Sequence, residues 1–128
     1  MVILRYPAVR KLVSTRTSVT NFGVPGDKVE NTLDRIINGN YPTSIQYAFI
    51  ITGTNNVCSE STSAHQIATA ITEAGKNMSF QLTGASVCIV GILPRSYASD
   101  KPWVNAKVKE INNYIKITVN NIGHVEFL

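Results

Sequence analysis

Ala48-Phe49-Ile50-Ile51-Thr52-Gly53-Thr54-Asn55-Asn56 sets an apolar, strand-forming run directly against a Gly-x-Asn-x break. A buried strand that ends this way delivers an amide side chain to the carboxyl edge of a sheet. That edge is where open α/β folds place their chemistry. A second loop of the same kind lies upstream, Asn21-Phe22-Gly23-Val24-Pro25-Gly26-Asp27, after the short strand-like run 19–22. Two such loops suggest a site for an anionic or oxyanionic group.

Working outward, strand and helix patterns alternate along the chain. Residues 27–38 read as a helix with Val29, Leu33, Ile36 and Ile37 on one face. Asp27 is the expected N-cap, Glu30 its capping-box partner and Gly39 the stop. Pro42 punctuates the loop into a strand over 46–52. Ser61 and Ser63 offer caps for a second helix lined by Ile67, Ile71, Ala74 and Met78. The run 87–93 is apolar throughout, as expected of a strand covered on both faces. Asp100 and Pro102 open a third helix carrying Val104, Val108, Ile111 and Ile115, and residues 124–128 form a last short strand. Strands separated by helices of this length pair in parallel through right-handed crossovers. The fold class read from this is α/β, a three-layer arrangement in a single domain spanning 1–128.

Composition narrows the function. At 128 residues the chain can bury a core, and 44% hydrophobic with 16% charged residues describes a globular domain rather than a disordered one. No apolar stretch reaches the roughly 20 residues that cross a bilayer, so no membrane partner is expected. Cys58 and Cys88 are too few for a disulfide framework and read as free thiols of a reducing, cytoplasmic compartment, Cys88 being a small core residue. The net charge of +4 is uneven: Arg5, Arg10, Lys11 and Arg16 all precede the first acid, Asp27. A transit peptide or a phosphate-binding arm fits that pattern, but a solvated helix face with Val9, Leu12 and Val13 turned inward accounts for it as well. Aromatics do not interleave with the basic residues, and nucleic-acid binding is not supported.

The chemistry-bearing residues are sparse. His65 near a helix start and His124 beside a strand lack a partnered nucleophile and an orienting acid at recognisable spacing. Ser14, Ser18, Ser61 and Ser63 lie on no strand-to-helix elbow. The two His and two Cys are scattered without metal-ligand spacing, and no cofactor is expected. Asn77-Met78-Ser79 matches a glycosylation sequon but falls within an expected helix.

Four segments carry a family resemblance. Asn21-Phe22-Gly23-Val24-Pro25-Gly26-Asp27, with Leu33-x-Arg35 and Asn38-Gly39, resembles the second conserved block of the SGNH (GDSL-type) hydrolases, and Gly53-Thr54-Asn55-Asn56 resembles the third. Gly91-Ile92-Leu93-Pro94-Arg95 and Val108-x-x-Ile111-Asn112 resemble the strand and helix that follow. The nearest in appearance are the catalytic subunits of intracellular platelet-activating factor acetylhydrolase; esterase-like modules of retrotransposons are similar too. The resemblance runs over nearly the whole chain, with the motifs in order.

It implies a flavodoxin-like fold and hydrolysis of a small acyl ester by a Ser nucleophile, a His base and an orienting Asp. The oxyanion-hole Gly of the family matches Gly26 and its Asn matches Asn55. The residue types suit the role: Pro25-Gly26 favours a type II turn with positive φ at Gly26, and Asn55 offers amide donors to a developing alkoxide. The family's Gly-Asp-Ser does not occur, since Lys28 follows Gly26-Asp27, and neither does its Asp-x-x-His. The expectation is that the chain starts just after the catalytic Ser and stops just before the catalytic Asp and His, an esterase domain inactive as written. On that reading the first, central strand and last helix of a 2-1-3-4-5 sheet are missing, and self-association through exposed strand edges follows. The alternatives are a non-catalytic binding module for an anionic ligand and a transposon-derived structural remnant.

Overall fold

A computed structural model of the chain describes residues 19–96 and 101–128. The N-terminal basic residues, the inward face read at Val9, Leu12 and Val13, Ser14, Ser18 and Asp100 lie outside them. The described residues form helix α1 (Val29–Asn38), strand β1 (Tyr47–Ile50), helix α2 (Ala64–Gln81), strand β2 (Ser86–Ile89), helix α3 (Trp103–Val119) and strand β3 (Val125–Phe127).

The sheet is open and wholly parallel, in the order β1-β2-β3. Ala48 stands opposite Val87 and Val125, Ile50 opposite Ile89 and Phe127. These residues turn to the helices; Phe49, Cys88 and Glu126 share the other face. Helix α2 touches all three strands and packs against α1 on one side and α3 on the other, so the helices make a single layer. Two of the three expected layers are therefore present, and among the described residues no helix covers the second face.

Periodicity explains the core. Ile67, Ile71, Ala74 and Met78 of α2 and Val104, Val108, Ile111 and Ile115 of α3 are all buried, as their spacing predicts. Side chains of this kind each gain roughly 1.5–3 kcal/mol on burial. Ser63 is the α2 N-cap: its Oγ accepts from Gln66 N at 3.1 Å, and Gln66 Oε1 accepts from Ser63 N at 2.8 Å, a reciprocal capping box.

Several expectations are corrected. Residues 19–22 are not a strand; they run irregularly, with Phe22 turned edge-on to Tyr41 at 5.4 Å. The inner face of α1 is Val29, Thr32 and Ile36, with Leu33 at its margin, while Ile37 is 52% exposed. Thr32 fits inside because its hydroxyl bonds the Lys28 carbonyl at 3.3 Å and the Thr52 hydroxyl at 3.1 Å. The N-cap is Lys28, one residue beyond Asp27. The side-chain acceptor for its N–H is Asn31, at 3.0 Å, rather than Glu30, and the lysine ammonium, a donor only, returns no bond. Gly39 ends α1 in an extended conformation, not a left-handed one. A Cβ there would lie 2.5 Å from the Tyr41 hydroxyl, which donates back to the Arg35 carbonyl at 2.9 Å.

Candidate functional site

Helix α1 lies alongside α2, and its N-terminus meets the loop that leaves β1, where Val29 N reaches Asn56. Gly26 occupies the turn ahead of α1 with φ 86°, and Asp27 N bonds the Val24 carbonyl at 3.3 Å to close that turn. This is the geometry Pro25-Gly26 predicts for a type II turn. A Cβ at Gly26 would meet nothing within 4 Å, so its surroundings are open. Among the described residues the Gly26 N–H has no hydrogen-bond partner.

The β1 loop turns at Gly53, φ 102°, where a Cβ would lie 2.8 Å from Ile92 Cδ1 and 2.9 Å from Ile71 Cδ1. Only glycine accommodates both the dihedral and the close approach. Just beyond, Asn55 Nδ2 donates to the Asp27 carbonyl at 2.8 Å. The structure thus joins the Gly26 loop to the Asn55 loop through a bond spanning 28 residues. A primary amide carries two N–H groups; this bond uses one, and among the described residues no bond engages the other.

Asn56, to which the sequence assigns no task, is the more deeply buried of the pair, at 5% exposure. Its Oδ1 accepts from Val29 N at 2.9 Å, and its Nδ2 lies 3.1 Å from both carboxylate oxygens of Glu30. An asparagine from another loop therefore satisfies the first helical N–H of α1, a donor that helix geometry leaves without an internal partner. Beside it the Asp27 carboxylate is ion-paired with Arg35, which neutralises the acid nearest to Gly26. Leu33-x-Arg35 in the sequence thereby acquires a physical role.

On the other flank, three cations meet the carbonyls of the β1 loop. Arg95 Nη1 donates to Thr54 O at 2.8 Å and lies 3.4 Å from Cys58 Sγ. Lys101 Nζ reaches Cys58 O at 3.4 Å, and Lys107 Nζ donates to Ser59 O at 2.6 Å and to Thr62 O. Both lysines lie over the Trp103 ring, at 5.8 and 5.3 Å from its centroid. The segment after β2 is in turn held by α3: Asn112 exchanges two 2.9 Å bonds with the backbone of Ile92, and Asn105 bonds Arg95 N and O at 2.8 and 3.1 Å. Asparagines seven apart, on one helix face, were the available signal for this clamp.

Among the described residues, none of the remaining candidates bonds Gly26 or Asn55. His65 is exposed against the Tyr114 ring at 5.2 Å. His124 precedes β3 with φ 65°, at the amino-terminal edge of the sheet and so opposite Asn55. Ser61 bonds Ser59 at 3.1 Å, and Ser63 is a cap. Asn77 is in α2, its amide donating to Glu73 O. Cys58 is half-buried and Cys88 buried, both as thiols; burial first, and Glu126 second, push the Cys88 pKa up. Among the described residues no group of His, Cys, Asp and Glu could hold a metal ion, and no helix is long and apolar enough to cross a membrane. Two shallow concavities of about 440 and 450 Å³ flank α3, and neither is lined by Gly26 or Asn55. Gly26 is exposed and Asn55 half-buried.

No protein-family model matches the chain, and none of the curated proteins matches it.

Proposed function

We propose that this chain carries the oxyanion-binding half of an SGNH-type esterase domain on a flavodoxin-like scaffold, in the cytoplasm. Gly26 N–H and the second N–H of Asn55 are the donors, and the ligand is the carbonyl oxygen of a small acyl ester or an equivalent small anion. The observation that carries this reading is the 2.8 Å bond from Asn55 Nδ2 to Asp27 O, which ties the two donor-bearing loops together at the carboxyl edge of the sheet. Donors held in place before charge develops stabilise an oxyanion without reorganising, and loss of one costs about 10²–10³ in turnover in enzymes that depend on it.

The residues of this chain supply the donors and not the rest of the reaction. Gly-Asp-Ser and Asp-x-x-His are absent from it, and among the described residues neither histidine bonds Asn55. The chain by itself therefore binds and does not turn over. Self-association belongs to the same reading: among the described residues β1 has one strand neighbour, β2, and its far edge is a template for pairing.

A second reading, a structural module that needs no ligand, is favoured by the same bond, because an amide engaged in joining two loops already serves the fold. Titration of the ¹⁵N-labelled protein with acetate and with methylphosphonate separates the two. We expect the Gly26 N–H and Asn55 side-chain amide resonances to move together, with a dissociation constant in the millimolar range, and nitrophenyl acetate to be hydrolysed no faster than in buffer. If both resonances stay still while others move or none does, the oxyanion reading fails and the structural one stands. Ester turnover that depends on Asn55 would overturn the claim of inactivity.

A further inference from the structure

Resting on the oxyanion reading of Asn55, we propose that Arg95 is the positioning residue of that site. Its guanidinium fixes the peptide that precedes Asn55, and its own backbone is fixed to α3. The chain of contacts is short. Asn105, on the first turn of α3, accepts from Arg95 N at 2.8 Å and donates to Arg95 O at 3.1 Å, so the Arg95 main chain is gripped at both polar groups. From there Nη1 reaches across to Thr54 O at 2.8 Å, with Cys58 Sγ at 3.4 Å on the far side of the same turn.

The Thr54 carbonyl belongs to the Thr54–Asn55 peptide plane. Holding its oxygen fixes the rotation of that plane, and with it the direction in which the Asn55 side chain leaves the backbone. Asp27 O fixes the other end, by accepting from Asn55 Nδ2 at 2.8 Å. Asn55 is thus constrained from the β2 side by Arg95 and from the α1 side by Asp27. A donor constrained at both ends keeps its free N–H aimed while the opposite face stays open. Arginine suits the task because its planar fork can bond Thr54 O and face the thiol at once, and bonds from a charged donor are shorter and stronger than neutral ones.

The proposal separates Arg95 from Lys101 and Lys107, which bond the same loop further on, at Cys58, Ser59 and Thr62. Those contacts hold the loop in place; only the Arg95 contact touches the peptide of Asn55. Substituting Lys107 should therefore lower stability without altering the Asn55 amide, whereas substituting Arg95 should alter it.

The test compares Arg95→Gln, Arg95→Lys and Lys107→Gln in the full chain, and first reads the free protein. In the unsubstituted protein the two Asn55 side-chain amide protons should give one sharp, well-separated pair. In Arg95→Gln that pair should broaden or collapse toward solvent-exposed values, with the Gly53 and Val57 backbone resonances retained as evidence of folding. Arg95→Lys, which keeps the charge and one donor, should restore much of the separation, and Lys107→Gln should leave it unchanged. The second readout is methylphosphonate affinity, expected to weaken about tenfold in Arg95→Gln and to recover in Arg95→Lys. An Asn55 pair unchanged in Arg95→Gln overturns the positioning role, whatever the affinity does. A pair that collapses in a protein that binds no methylphosphonate in any form upholds the positioning of Asn55 and overturns the oxyanion reading instead.

Discussion

Asn56 Oδ1 accepts the Val29 backbone N–H at 2.9 Å across 27 residues of sequence, so that the loop after β1 caps the helix before it. A cap in trans couples two elements that a local Ser or Asp cap would leave independent. It also requires the amide to be buried, and its Nδ2 is satisfied by Glu30.

Replacing Asn56 by Ala removes the cap and strands a buried N–H, which should cost about 1–3 kcal/mol in urea unfolding at neutral pH. Asn56→Asp keeps an acceptor for Val29 N but sets a second carboxylate against Glu30. The folded-state pKa of that new acid is raised by its neighbour, so its penalty is present above that pKa and is relieved as pH falls through it. Asn56→Asp should therefore approach the unsubstituted protein in acid, and Glu30→Gln should rescue it at neutral pH. Equal destabilisation at both pH values would contradict this account.

Gly53 and Gly26 share a positive φ and differ in what surrounds them. Gly26→Ala meets open space and should cost only the left-handed strain, about 1–2 kcal/mol. Gly53→Ala adds a Cβ within 2.9 Å of two buried isoleucine methyls and should cost more, about 2–4 kcal/mol. Gly53→Ala combined with Ile92→Val should recover part of the loss, because the colliding Ile92 Cδ1 is removed. Calorimetric melting of the three variants decides the order; a Gly26→Ala protein less stable than Gly53→Ala would refute it.

The described residues contain two acids whose neutral forms the fold prefers. Burial raises the Cys88 pKa above its ordinary 9.0, with Glu126 adding to it. Burial also raises Tyr41 above 10.0, with Arg35 opposing. In each case the unfolded chain gives up its proton at lower pH than the folded one. The stability these groups contribute is full below the unfolded pKa and is lost as pH rises through the folded one. The urea midpoint should accordingly decline from about pH 8.5 upward, and Cys88→Ala should reduce the steepness of that decline, whatever it does to the midpoint at pH 7. Parallel curves for the two proteins would show that Cys88 does not contribute.

Legibility in the sequence followed the strength of the local signal. The inner faces of α2 and α3 were readable because four apolar residues repeat at helical spacing on each, and Ser63 was readable as one of the cap residues directly ahead of the first of them. The Gly-x-Asn break after β1 was readable because strand residues end there abruptly. Residues 19–22 misled, since β-branched and aromatic residues mark strands only where a partner strand exists. Ile37 misled for a different reason: Thr32, on the true inner face, is polar and is tolerated through its bonds to the Lys28 carbonyl and to Thr52, a residue from another element. The same holds at the site. Gly26 and Asn55 were marked by turn chemistry, while Asn56, Arg95 and Asn105 act through partners between 10 and 41 residues away, which no local pattern encodes.

Asn112 offers the sharpest test of such long-range partnership. On α3 it bonds Ile92 N through Oδ1 and Ile92 O through Nδ2, both at 2.9 Å, so one side chain stands in for a neighbouring strand where the β2 ladder has ended. Asparagine has poor helix propensity, and in an exposed helix its replacement by Ala would stabilise by a few tenths of a kcal/mol. Here the bonds outweigh propensity, since both Ile92 backbone groups lose partners at once. Asn112→Ala should destabilise by about 1–3 kcal/mol. Asn112→Asp should be worse at neutral pH, because it keeps the acceptor for Ile92 N but turns a carboxylate oxygen toward Ile92 O. Backbone hydrogen exchange localises the effect: the Ile92 amide should lose protection in Asn112→Ala while Ile71 in α2 keeps its own. A stabilised Asn112→Ala protein would mean that propensity governs this position and that the clamp contributes nothing.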